Sequence, residues 1–340
     1  MAVDLVRITR ESRVGKRILP LSWPWQIRLL LLGAIWGSSF LFIKVADRSF
    51  APFDIAGGRI ALGALTLATV LYATGGRLPK GRARWAHLAV VGLFMNAIPF
   101  TLFAWAEVRI SSVAAGILNG TTPLFTLPVA FVLLPTERLT KSRLGGLVVG
   151  FVGVIVVLGA WHGVSGGELA GYLACLGGAL CYGIGLPYTR RFVTTDEESV
   201  TALAAGQLVC ATVEMALIAP AFVRVPHRVS AESGLSVLAL GIMCTGIAYL
   251  ISYSIVRVAG ATSTSLVTFL IPIFSTIFGA AILSEALAWY EPVGALVVLI
   301  GVALVQGLRV PLRRSRSKER TASANRRTEL DFNREESLSG

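Results

Sequence analysis

The sequence predicts an all-α integral membrane protein with ten transmembrane helices, arranged as two inverted-topology repeats of five helices. Of its 340 residues, 54% are hydrophobic and only 15% are charged, whereas soluble domains carry roughly 25% charged residues. The apolar residues form long continuous runs that do not alternate with polar ones, which indicates helices rather than barrel strands. The second half of the chain also repeats motifs of the first half. This composition excludes a soluble enzyme and a disordered protein.

Ten apolar runs have the length of a membrane span. A helix needs about 20 apolar residues to cross a hydrocarbon core of about 30 Å. The connections between the runs are short, so neighbouring helices are predicted to be antiparallel. The predicted spans are 27–46, 54–74, 83–104, 111–134, 142–160, 168–188, 200–222, 234–254, 262–283 and 291–308.

The distribution of Lys and Arg predicts the orientation of these spans. With ten spans, 25 of the 31 Lys and Arg lie on the side of the two termini and four lie on the other side. Positively charged loops stay in the cytoplasm, so we expect a multi-pass protein of the cell (inner) membrane with both termini cytoplasmic. The predicted cytoplasmic segments include an N-terminal segment, 1–26, and a disordered basic tail, 311–340. The net charge of +12 is thus interpreted as a topology signal and as contact with anionic lipid, not with nucleic acid.

The two halves of the chain share residues at a nearly constant offset. The segment Val108-Arg109-Ile110 recurs as Val256-Arg257-Val258. Five helices in each half are an odd number, so the second repeat starts on the other side of the membrane from the first. Inverted repeats of this kind are typical of secondary transporters. The repeats are predicted to cover 27–160 and 168–308, and their further matched pairs are Glu137/Glu285, Gly146/Gly294, Gly153/Gly301 and Gly159/Gly307.

Several motifs resemble those of a known family. They are Trp36-Gly37-Ser38-Ser39-Phe40 with Lys44, Ala51-Pro52 and Arg59, then Pro123, Glu137-Arg138-Leu139 and Gly145-Gly146, and the second copy Pro272, Glu285 and Gly294. The chain resembles EamA-domain proteins of the drug/metabolite transporter superfamily over about 27–308. One departure is Cys181-Tyr182, where the first copy has Trp36.

The resemblance implies a ten-helix transporter that moves amino acids or other small metabolites, often outward. The sequence leaves an alternative open, a lipid-carrier or glycolipid flippase of the same superfamily. Lateral openings between helices, in place of a sealed polar cavity, would favour that alternative.

A central substrate cavity is predicted where two helices contain an interior proline. Pro123 and Pro272 are predicted to break their helices, because each leaves the carbonyl four residues earlier without a helical partner. These carbonyls belong to Asn119 and Thr268. Irregular backbone at membrane depth is tolerated where it lines a wet cavity. The alternative is that the prolines only curve their helices.

Three more residues are predicted to line this cavity. Trp36 and Tyr182 lie near the middle of spans one and six, where an aromatic ring can stack on a substrate or a cation. Asn96 lies mid-span in span three, where an amide must face the protein interior. Plain packing of the rings, and a bond from Asn96 to a neighbouring helix, remain the alternatives.

Three charged residues inside spans are candidates for gating or coupling. Lys44 and Arg59 lie near the outer ends of spans one and two, where we predict an outer cationic gate. The alternatives are that they bind a substrate carboxylate or that their side chains extend to the membrane interface. Glu214 is isolated in the interior of span seven. An ionisable group there is a functional candidate, so we predict proton coupling through Glu214, with a neutral, hydrogen-bonded Glu as the alternative.

The sequence predicts no catalytic residue, no metal site and no cofactor. The segment Gly163-Val164-Ser165-Gly166-Gly167 fits the G-x-S-x-G pattern of a nucleophilic serine, with His162 before it, and so keeps an intramembrane serine hydrolase as a remote alternative. The expected partners are a small-molecule substrate, the lipid bilayer and a proton. We expect a monomer or a homodimer.

Overall fold

The computed structural model describes residues 23–135, 139–194, 199–223 and 228–307. The described chain forms ten helical segments joined by short connections. They are α1 (Trp25–Ala46), α2 (Pro52–Ala73), α3 (Arg82–Glu107), α4 (Ser112–Leu133), α5 (Lys141–Val157), α6 (Gly166–Val193), α7 (Val200–Phe222), α8 (Ala231–Thr264), α9 (Val267–Ile282) and α10 (Tyr290–Val305).

Eight of these helices are long and apolar enough to cross a membrane, and α9 and α10 are shorter apolar helices. An all-helical, multi-pass membrane protein is therefore confirmed, and the count of ten crossings stays a prediction. The tail 311–340, most of the segment 1–26, and Glu137 and Arg138 lie outside the described residues.

The helices define two ends of the bundle. Successive helices run in opposite directions, so α1, α3, α5, α7 and α9 begin at the same end. We call it the terminal end because the described chain starts and finishes there; the other is the opposite end. Long-range hydrogen bonds agree with this arrangement. Arg28, at the start of α1, donates over 3.1 Å to Ser254 Oγ, which lies in α8 before the bend of this helix at Gly260. Ser233, at the start of α8, donates to the carbonyl of Val45, at the end of α1, over 2.9 Å.

Helices α3 and α8 each contain a π-helical turn, at corresponding positions of the two repeats. The turn covers Leu93–Ala97 in α3 and Ala239–Ile247 in α8. The offset that relates Val108 to Val256 places Asn96 opposite Cys244, and each lies within its turn. Such turns occur frequently at functional sites, and both of these lie beside the central cavity described below.

The break that the sequence predicts in α4 is present. The helix is interrupted at Gly120 and Thr121, and Pro123 occupies the first turn of its second half. A proline is favourable there because its missing N–H would have no helical partner in any case. The hydroxyl of Thr122 donates to the free carbonyl of Asn119 over 2.8 Å.

The break predicted at Pro272 is found elsewhere. Helix α9 continues through Pro272, and the interruption lies at Ser265 and Leu266, before α9 begins. Thr268, whose carbonyl the proline leaves unpaired, belongs to the first turn of α9. The chain therefore breaks near the helix start, where α8 also bends at Gly260 with a φ of 81°.

Glycines allow α5 and α10 to pack with their backbones in contact. A Cβ atom on Gly301 would lie 2.4 Å from the backbone nitrogen of Gly150, and one on Gly153 would lie 2.5 Å from the backbone nitrogen of Val298. Small residues drive helix association in a membrane because apolar side chains gain little by leaving lipid. The predicted glycine pairs thus include positions that hold these two helices together.

We predict that Gly301→Ala destabilises the protein because its methyl group overlaps the backbone of α5. Overpacking typically costs about 1–3 kcal/mol, and the melting temperature in detergent should fall by several degrees. The matched control is Gly145→Ala on the exposed face of α5, where a Cβ atom meets nothing within 4 Å. Equal melting temperatures of the two variants would contradict the close packing.

Candidate functional site: a central cavity

A cavity of about 410 Å³ lies at the centre of the bundle. Helices α1, α2, α3, α4, α6, α8 and α9 all contribute to its wall. Four of the five residues predicted to line a substrate cavity are in this wall: Trp36, Asn119, Tyr182 and Thr268. The residues predicted from the interior prolines and those predicted from the mid-span aromatic rings therefore line one space.

Arg59 also lines this cavity. It lies about two turns after the start of α2, which is at the opposite end of the bundle. Its Nε donates to Thr245 Oγ1 over 3.0 Å, and its guanidinium carbon lies 3.9 Å from the centroid of the Phe100 ring. No carboxylate of the described residues forms an ion pair with it, although its side chain is buried. The cavity therefore contains a fixed positive charge with unused N–H donors.

Asn96 lies behind the cavity wall and not in it. It is completely buried, and its Oδ1 accepts a hydrogen bond of 3.0 Å from the hydroxyl of Tyr249, which lines the cavity. Gln207 Nε2 donates to the same hydroxyl over 3.4 Å. The Tyr249 ring stacks on that of Tyr253, another lining residue, at 5.9 Å. Asn96 and Gln207 thus position an aromatic wall of the cavity.

The opposite end of the bundle is closed by a group of polar contacts that we call the seam, formed by Lys44, Glu107, Ile110, Ser112 and Glu285. Lys44 Nζ donates to the backbone carbonyl of Glu107 and to that of Ile110, the latter over 2.9 Å. A lysine is favourable at these carbonyls because they carry the negative end of the α3 dipole. Lys44 thus joins α1 to α3, while Arg59 points into the cavity, so the predicted pair is divided between two sites.

Glu285 completes the seam by capping the N-terminus of α4. Its carboxylate accepts from the backbone N–H of Ser112 over 3.0 Å, from the Ser112 hydroxyl over 2.9 Å and from the backbone N–H of Val113 over 3.1 Å. Helix N-termini bind anions because their first N–H groups have no helical partner. The repeated Glu thus joins the chain after α9 to the start of α4.

The cavity extends toward the terminal end. Its wall includes Ala261, Thr264 and Ser265, which lie where α8 ends and before α9 begins. The seam lies on the other side of Arg59. In the described part of the chain, the seam therefore closes the cavity toward the opposite end, while the residues that line the cavity extend to the terminal end.

Glu214 lies outside the cavity, in a lateral groove of about 860 Å³. The groove follows α3 and α7 and the start of α2, and most of its lining is apolar, with residues such as Leu93, Trp105 and Leu217. It shares no lining residue with the cavity. The isolated carboxyl is thus half-buried in the lateral groove, with its Oε2 enclosed and without a hydrogen-bond partner among the described residues.

The predicted serine motif has a structural role in the described chain. Ser165 caps α6, because its hydroxyl accepts from the Glu168 N–H while the Glu168 carboxylate accepts from the Ser165 N–H over 3.0 Å. The hydroxyl also donates to that carboxylate over 2.7 Å. Among the described residues no group of His, Cys, Asp and Glu could hold a metal ion.

Several residues of the site were missed by the sequence analysis. Tyr249 and Tyr253 are one helical turn apart in α8, a spacing that places both rings on one face. Glu107 was overlooked because the predicted third span ended at residue 104, whereas α3 continues to Glu107. Thr245 gave no signal in the sequence, since only the packing of α2 against α8 brings it to Arg59.

Comparison with known proteins agrees with this architecture. An S-adenosylmethionine/S-adenosylhomocysteine transporter of Chlamydia trachomatis is 30% identical over 275 residues, covering 76% of this chain and 82% of the relative. An uncharacterized transporter of Archaeoglobus fulgidus is 27% identical over 280 residues, with coverages of 81% and 95%. A protein of known crystal structure superposes with a TM-score of 0.61 at 24% identity, over 84% of this chain and 98% of the other, and so shares the fold.

The family comparison covers both repeats. The EamA-like transporter family matches twice, over residues 23–159 and 169–306, which together span most of the chain and correspond to the two halves that share motifs. The protein therefore belongs to the EamA-like transporter family.

Proposed function

We propose that this transporter has ten membrane crossings and moves a small metabolite that carries a carboxylate, such as an amino acid or a related compound. It does so by alternating access at the central cavity between the repeats. The observation that supports this substrate class is Arg59, a buried cation in the cavity wall without a carboxylate partner among the described residues. A guanidinium binds a carboxylate through two parallel N–H···O bonds, and the aromatic wall accommodates an apolar body.

The asymmetry of the two ends supports a cycle that starts from the terminal end. In this conformation the lining residues of the cavity extend to Thr264 and Ser265 near the terminal end, and the seam closes the opposite end. With both termini in the cytoplasm, the cavity is loaded from the cytoplasm and emptied outside. We therefore propose export, driven by an ion gradient.

A lipid or glycolipid flippase is the second candidate, and the lateral groove is the observation that favours it. A flippase needs its polar site to be continuous with the groove that holds the acyl chain. Here the groove and the cavity share no lining residue, so the metabolite transporter is the better-supported function.

We predict that cysteines at Asn119 and Thr268 both react with a small water-soluble thiol reagent, since both side chains line the cavity. The matched control is Ile117→Cys, two residues before Asn119 in α4 but 1% exposed and not in the cavity wall. Labelling rates of purified protein test this. Equal rates at all three positions would contradict a cavity reached by water.

The function itself is tested by metabolite profiling of cells and medium with the protein absent, present, or carrying Arg59→Gln. We expect the wild type to shift at least one carboxylate-bearing compound from cells to medium, and the Gln variant to lose at least about tenfold of that activity, because a charged hydrogen bond contributes roughly 1.5–3 kcal/mol. Arg77→Gln is the control, since Arg77 is exposed in the connection before α3. Unchanged export by the Arg59 variant, at equal membrane levels, would reject the substrate class.

We predict that a cysteine in the loop 161–167 is labelled by an impermeant reagent added to intact cells, and that one in the loop 75–82 is protected. Permeabilised cells, in which both positions should react, provide the control. The reverse labelling pattern would show that the termini are outside.

A further inference from the structure

Glu107, the last residue of α3, is a buried acid without a hydrogen-bond partner. Its side chain is 0% exposed, and neither Oε1 nor Oε2 has a partner among the described residues. Its backbone carbonyl, by contrast, accepts from Lys44 Nζ. The ammonium that joins α1 to α3 is thus directed to main-chain oxygens, and the carboxyl group is enclosed without a donor.

The charged groups around Glu107 do not supply that donor. Helix α1 brings Lys44 and, just beyond its end, Asp47, and α2 brings Arg59. Glu285 approaches from the chain after α9, and the thiol of Cys175, itself completely buried, faces Glu107 from α6. Partial burial raises the pKa of Asp47, against the opposing charges of Lys44 and Arg109. Helix α4 contributes Ser112, whose N–H and hydroxyl are bound to Glu285.

The two glutamates of the seam therefore have contrasting surroundings. Glu285 accepts three hydrogen bonds from the start of α4. Glu107 is fully buried, and an ionised carboxylate in such a place has neither water nor a donor to compensate its charge. A neutral carboxyl group avoids this penalty, so the closed seam favours a proton on Glu107.

We propose that Glu107 is a proton-binding site of the gate at the opposite end, and that closing this end requires one proton to bind to its carboxylate. The proton comes from the solution on the opposite side while the seam is open, and the carboxyl group returns it there when the seam opens again. The inference rests on the alternating-access function, because the seam must open for the substrate to leave. Because this proton returns to the side from which it came, it gates the opposite end and does not drive transport, and proton coupling through Glu214 stays a separate prediction.

This linkage makes the open fraction of the gate depend on pH. If closure takes up one proton, the ratio of open to closed molecules increases by up to about tenfold for each pH unit above the midpoint. Native Cys175 reports the opening, since its thiol is 0% exposed in the closed seam.

The experiment measures alkylation of Cys175 by N-ethylmaleimide in the purified full-length protein between pH 6 and 8.5. Peptide mass spectrometry assigns the adduct, and each rate is divided by that of the same cysteine in unfolded protein at the same pH, which removes the ionisation of the thiol itself. For the wild type we expect this relative rate to increase at least about threefold over the range. For Glu107→Gln, which is always neutral, we expect a low rate that does not change with pH.

Two variants make the result specific. Glu107→Asp retains a titratable group and should retain a pH dependence, and Glu214→Gln should behave as the wild type. A wild type without pH dependence, or a Gln variant that increases in parallel with it, would overturn the proposal. Glu107→Met is a second neutral variant, and failure of both neutral variants to fold would also contradict a protonated Glu107. No substrate is used, so a negative result leaves the proposed transport function standing.

Discussion

The close crossing of α4 and α9 is the interaction on which the rest of the structure depends. A Cβ atom on Gly116 would lie 2.0 Å from Ser275 Oγ, and one on Gly120 would lie 2.8 Å from the Pro272 side chain, so side chains of α9 pack directly against the backbone of α4. Glu285 then bonds to the start of α4. The crossing lies beside Asn119 and Thr268, both of which line the cavity.

The role of each polar side chain inside this apolar bundle follows from the groups that it contacts. Lys44 and Glu285 bind backbone groups at helix ends, where the peptide dipoles favour their charges. Arg59 has one hydroxyl partner and an aromatic ring, which leaves its other donors to the cavity. Glu107 has no partner for its carboxyl group among the described residues, and in the proposed transport cycle it lies between elements that separate. A group of this kind is neutral when enclosed and ionises when water reaches it.

The cavity and the lateral groove differ in chemistry as well as in position. The cavity combines Arg59, hydroxyl groups and several aromatic rings, whereas the groove is largely apolar and contains Glu214. Family relatives that are named as transporters agree with a transport function for the protein. The groove is best interpreted as a surface that faces lipid in this conformation.

The sequence by itself determined the membrane class, the helices, the repeat and the family, because hydropathy and fixed residue spacing are properties of the chain alone. It also located Trp36, Asn119, Tyr182 and Thr268 in one cavity, since mid-span aromatic rings and proline-freed carbonyls are recognisable in one dimension. Only the tertiary structure decided that Arg59 enters the cavity while Lys44 closes the seam, that Asn96 acts through Tyr249, and that Glu214 faces sideways. The physical reason is that the role of a charged side chain in a membrane protein depends on the groups it contacts. Those groups come from helices that are distant in the chain.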